Sequence, residues 1–113
     1  MVIYIDIYQY MEDFKMDEKI AEYFKVLSDP NRLKIVELLL KGETCGCTLI
    51  DKLTISQPTL SYHLSMLANS GLARTKRDGN KIEHFINRDK LDEMIDFLED
   101  LKLSDEISCK ISK

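Results

Sequence analysis

The chain has 113 residues and a mass of 13.2 kDa, with 44% hydrophobic and 32% charged residues and a net charge of −4. That composition is neither fibrous nor disordered and fits one domain whose core is small enough that pairing with a second copy is expected. The apolar opening Met1-Val2-Ile3-Tyr4-Ile5 is broken by Asp6 and is too short to span a bilayer. It reads as neither signal peptide nor membrane anchor, so a cytoplasmic protein with no membrane partner is expected.

Taken in order, residues 1–16 form an N-terminal arm or helix, a candidate dimer contact. Ile3, Ile5 and Ile7 alternate as in a strand, whereas Ile7, Met11 and Phe14 fit a helix. Ile20, Tyr23, Phe24 and Leu27 recur at helical spacing. Ser28-Asp29-Pro30 then supplies a cap and a first-turn proline for a second helix, which carries Leu33, Val36, Leu39 and Leu40 and stops at Gly42. A short helix through Leu49, Ile50 and Leu53 breaks at Thr54-Ile55. Ser56 next reads as the N-cap of a helix with the stripe Leu60, Leu64 and Leu67, ending at Gly71. Two such helices joined by a tight turn make a helix-turn-helix.

After Gly71 the period changes to two. Leu72 to Lys76 and Ile82 to Asn87 read as strands around Asp78-Gly79-Asn80, a strong hairpin signal and hence a wing. A last helix sets Leu91, Met94, Ile95, Leu98 and Leu101 against Asp92, Glu93, Asp96, Glu99 and Asp100. The fold class is therefore mainly α with a small β-hairpin, a homodimeric winged helix-turn-helix. Its DNA-binding domain spans 17–101 and a C-terminal tail spans 102–113.

Charge is unevenly distributed. Between Gln57 and Arg88 there are five basic residues (Arg74, Lys76, Arg77, Lys81, Arg88) and two acidic ones (Asp78, Glu83), a local net of +3, so the remainder carries −7. A basic segment on an acidic body leaves an electrostatic footprint for a duplex. On the recognition helix, Gln57, Thr59, Ser61, Tyr62 and Ser65 lie outside the leucine stripe and are candidate contacts to phosphates or base edges. His63 is a further candidate, with a structural role as the alternative. At the wing, Arg77 and Lys81 flank the turn and are candidates for backbone or minor-groove contact.

The remaining chemistry lies in the cysteines. Three thiols in a chain of this type argue for reduced sulfur available to a metal or an oxidant. Cys45 and Cys47 stand just ahead of the helix-turn-helix, close enough in sequence to grip one soft ion. On a regular helix, residues two apart point about 200° away from each other, so binding is expected to bend the backbone at Gly46. A thiol at a helix start also tends toward thiolate, the form that binds soft ions.

Four segments in this order carry a resemblance: Lys25-Val26-Leu27-Ser28-Asp29-Pro30-Asn31-Arg32-Leu33-Lys34-Ile35, Glu43-Thr44-Cys45-Gly46-Cys47, Ser56-Gln57-Pro58-Thr59-Leu60-Ser61-Tyr62-His63-Leu64 and Arg77-Asp78-Gly79-Asn80-Lys81. The chain resembles the ArsR (ArsR/SmtB) family of winged-helix metalloregulators from about Asp17 to Leu101, on its arsenic-sensing branch. The resemblance implies a homodimeric repressor, not an enzyme, that binds an imperfect palindrome and releases it when As(III) or Sb(III) binds, with no organic cofactor. Arsenic-sensing members often place a third thiolate three residues after the second cysteine. Here that position is Ile50, and Cys109 is a candidate third ligand from the tail. The alternatives are a Cd/Pb-sensing repressor and a thiol redox switch in which Cys45 and Cys47 are oxidised. A bond between cysteines two apart is expected to be strained, which leaves pairing with Cys109 open. A dimerising module without DNA binding is a further class. No catalytic constellation is present in the sequence.

Overall fold

A computed structural model describes residues 17–111, with side chains from 17 to 103. A helix over 17–27 (α1) leads into α2 (Pro30–Leu40), α3 (Gly46–Lys52) and α4 (Gln57–Ser70). An antiparallel hairpin, β1 (Ala73–Asp78) and β2 (Lys81–Ile86), follows, and α5 (Arg88–Ile111) closes the chain.

Local chemistry sets the boundaries. The Asp29 carboxylate caps α2 by accepting from the N–H groups of Asn31 (2.8 Å) and Arg32 (3.3 Å), and Pro30 occupies the first turn. Burial works against ionisation of that carboxyl, yet the two N–H donors hold its pKa below the usual carboxylate range. Helix α2 ends in a Schellman arrangement. Gly42 takes φ 100, and the N–H of Glu43 reaches back to the Leu38 carbonyl at 3.0 Å. Ser56 Oγ accepts from Thr59 N–H at 3.3 Å to start α4, which Gly71 stops at φ 89.

The core lies where α1, α2, α3 and α4 meet the base of the hairpin. Ile20, Tyr23, Ile35, Leu49, Leu60 and Leu67 are fully enclosed there. Burying each aliphatic side chain stabilises the fold by about 1.5–3 kcal/mol. In the hairpin, Thr75 pairs with His84 and Asp78 with Lys81, and the Asn87 N–H closes the base on the Leu72 carbonyl at 2.8 Å. The expected strands are thus present, displaced by one or two residues. The expected tail differs more, because the α5 backbone stays helical to Ile111. The arm 1–16 lies outside the described residues.

Ile95, Leu98, Leu101 and Leu103 remain exposed on α5, and Phe24 of α1 lies against Phe97 with ring centroids 6.5 Å apart. A chain this small with so much apolar helix surface in water is expected to cover it with a second subunit. No helix among the described residues is long and apolar enough to cross a membrane.

Candidate nucleic-acid interface and thiol site

Helix α4 presents two faces. Leu60, His63, Leu64 and Leu67 point into the core, while Gln57, Ser61, Tyr62 and Ser65 are exposed and Thr59 is half-buried. Ser56 Oγ donates to the Thr59 hydroxyl at 2.8 Å, so that hydroxyl shares in the cap. Tyr62 is 58% exposed, a large ring held in water on the outer face of α4.

His63 requires a correction. It is 5% exposed, and its Nδ1 accepts from Arg32 Nη1 at 3.0 Å, while Arg32 Nε donates to the Val26 carbonyl. A buried imidazole needs a partner, and Arg32 supplies it from α2. His63 therefore ties α4 to the helix behind it and points into the core, not to the exposed face of α4. The spacing 60, 63, 64, 67 is a core stripe, and that was the signal in the sequence for its direction.

The hairpin carries the charge. Arg74, Lys76, Arg77 and Lys81 are exposed, and among the described residues none of them joins an ion pair, in contrast to Lys34, Lys41, Lys52 and Lys90. Between the hairpin and α4 lies an open groove of about 280 Å³ lined by Ser61 and Ser65 on one side and by Thr75, Ile82 and His84 on the other. Strand alternation puts residues 82 and 84 on the face toward α4, a pattern that makes His84 legible in retrospect. Burial lowers the pKa of His84 below the ordinary histidine value.

The thiols lie at the other edge of the hairpin. Cys45 is the N-cap of α3, with extended backbone (φ −93, ψ 135), and its carbonyl accepts from Thr48 Oγ1 at 2.9 Å and Leu49 N at 3.1 Å. Cys47 lies in the first turn, its N–H donating to Cys45 Sγ at 3.4 Å. The Cα atoms are 5.3 Å apart and the two sulfurs are paired as a disulfide. The expectation that gripping one ion must bend a helix is therefore corrected, because the helix starts at Gly46 and Cys45 stands outside it.

Cys47 is exposed and Cys45 half-buried, so the pair is open to solvent. Beside them Glu43 pairs with Lys52 at 3.0 Å. Lys52, and after it Thr48, lowers the Glu43 carboxyl below its usual range. Ile50 packs against the core. Among the described residues no group of three or more His, Cys, Asp or Glu side chains converges. The Cys109 side chain lies outside the described ones. Two convergent thiols suit soft, thiophilic ions.

The thiol loop and the wing are directly joined. Thr44 O accepts from His84 N–H at 2.9 Å, and Cys45 forms an isolated antiparallel bridge with Glu83. Strand β2 is thus held by β1 on one edge and by the loop ahead of α3 on the other.

Comparison with known proteins bears on this arrangement. Residues 29–75 match the family described as "Bacterial regulatory protein, arsR family". An arsenical resistance operon repressor from Staphylococcus xylosus is 39% identical over 97 residues, covering 85% of this chain and 93% of that one. A cadmium resistance transcriptional regulatory protein, CadC, from Listeria innocua is 37% identical over 73 residues, 64% of this chain and 61% of that one. Among solved structures, the transcriptional repressor BigR from Xylella fastidiosa superposes with a TM-score of 0.63 at 30% identity, covering 81% of this chain and 94% of that one. The chain belongs to the ArsR family of winged helix-turn-helix, DNA-binding transcriptional repressors, which are regulators and not enzymes.

Proposed function

We propose that this protein is a cytoplasmic homodimer that represses an operon by binding an imperfect palindrome and releases it when As(III) or Sb(III) binds Cys45 and Cys47. The observation that carries this reading is the meeting of two accessible cysteine sulfurs, a pair of thiols once reduced, on a loop bonded to the wing. The likeness to an arsenical repressor over 85% of the chain supports the choice of ion. Gln57, Thr59, Ser61, Tyr62 and Ser65 are the proposed contacts of α4, and Arg77 and Lys81 those of the wing. Phosphate contacts supply affinity, and polar side chains on α4 supply base readout. The exposed apolar face of α5 is the proposed dimer seam, with the arm 1–16 as an added contact. Cys109 is kept as a proposed third ligand.

A redox switch is the second reading, favoured by the pairing of the Cys45 and Cys47 sulfurs. Peroxide would take two electrons from the two thiols, forming the Cys45–Cys47 bond with loss of two protons. The experiment is operator binding by purified, reduced protein on DNA from upstream of its own gene, titrated with arsenite, antimonite, cadmium and peroxide. Release by arsenite or antimonite supports the metalloid reading. Release by cadmium alone moves the assignment to that ion, and release by peroxide alone, reversed by reductant, establishes the redox switch.

A further inference from the structure

We propose that His84 joins the thiol site to DNA: its ring lies where a duplex phosphate enters the groove between α4 and the wing, and its backbone is held by the thiol loop. This inference rests on the repressor reading above and names the residue through which release is transmitted.

His84 shares its face of the hairpin with Ile82 and with Thr75, its partner across the ladder, and that face looks onto Ser61 and Ser65 of α4. Hydroxyl groups on both walls and an imidazole N–H are the donors that phosphate oxygens take. Arg74, Lys76, Arg77 and Lys81, exposed on the same hairpin, draw the polyanion to it.

The backbone of His84 is tied to the thiols just as directly. Thr44, whose carbonyl receives the His84 N–H at 2.9 Å, immediately precedes Cys45, and Cys45 bridges Glu83. Any change in the backbone angles of Cys45 as its sulfur takes an ion moves the Thr44 carbonyl one peptide away. Strand β2 and the His84 ring follow. The competing route, from α3 into α4, must displace Leu49 and Leu60, which are 0% and 1% exposed in one packed core. Close-packed interiors resist such shifts, whereas the hairpin is packed into the core at its base, through Ala73 and Ile86, and its exposed outer part yields. The wing is therefore the softer path.

The test uses the reduced, full-length protein with arsenite as the probe. Amide hydrogen exchange without DNA is followed first, then operator affinity with and without arsenite for wild type, His84→Ala and His84→Gln. Arsenite is expected to change the exchange rate of the His84 amide while the buried amides around Leu60 and Leu64 stay protected. It is expected to weaken wild-type operator binding by a factor in the ordinary allosteric range of about 5–150. His84→Ala is expected to bind operator more weakly and to show a smaller factor, and His84→Gln, which keeps a donor, to recover most of both. If arsenite releases wild-type operator yet leaves the His84 amide unchanged, or if His84→Ala keeps full affinity and the full factor, this inference is overturned and the repressor reading stands. If arsenite fails to release the wild type, both fall. Should His84→Ala not fold, the amide measurement on the wild type decides alone.

Discussion

Arg32 Nη1 lies 3.0 Å from His63 Nδ1 and links the start of α2 to the inner face of the recognition helix. The pair is partly buried and draws on a guanidinium already bonded to the Val26 carbonyl. It fixes the height and rotation of α4 on the domain. His63→Ala is expected to lower stability by about 1–3 kcal/mol, the cost of leaving a charged donor unpaired. Ser61→Ala or Tyr62→Ala is expected to leave the urea midpoint nearly unchanged and to weaken operator binding. Denaturation beside DNA titration separates the two classes.

Ser56 supplies the cap of α4 through Thr59. Ser56→Ala is expected to cost about 1 kcal/mol of stability. For a domain of this size that is a fall of roughly 4–8 °C in Tm, read by thermal denaturation.

The exposed wing cations imply a salt signature. Arg77→Ala and Lys81→Ala are each expected to reduce the slope of log affinity against log salt by about 0.9 for every phosphate that the side chain would neutralise. Binding titrations from low to physiological salt measure it. An unchanged slope in the double variant would place the wing away from the duplex.

Burial lowers the folded-state pKa of His84 below its unfolded value of about 6.5. As pH falls, the unfolded chain takes up the proton first, so this contribution to stability is complete above the unfolded pKa. It is lost as pH descends from there through the folded pKa. Between about pH 7.5 and 5.5 the wild type is therefore expected to lose more stability than His84→Asn. Urea unfolding midpoints at the two pH values test it.

Much of this architecture was legible because the signals are local. Asp29 with Pro30, Ser56, Gly71, and Asp78-Gly79 each mark a boundary through one or two residues, and the structure places caps or turns at all of them. What escaped is non-local or turns on a single dihedral. Cys45 leaves the helix through its own ψ, which decides whether the two thiols diverge or meet. The Thr44–His84 bond joins segments far apart in the chain, and no periodicity announces it. His63 was legible in its spacing, but a lone histidine on an otherwise polar-faced helix suits either direction until Arg32 is seen to approach it. The length of α5 was obscured by a polar composition that reads equally as tail or as solvated helix.

Control of the grip on DNA by the Cys45–Cys47 pair is the central claim. The most direct measurement is the operator affinity of the reduced protein with and without arsenite, in wild type and in Cys45→Ser. Release in the wild type and none in Cys45→Ser is predicted, with equal affinities before arsenite is added. Equal release in both proteins, or tight binding by the wild type under arsenite, would contradict it.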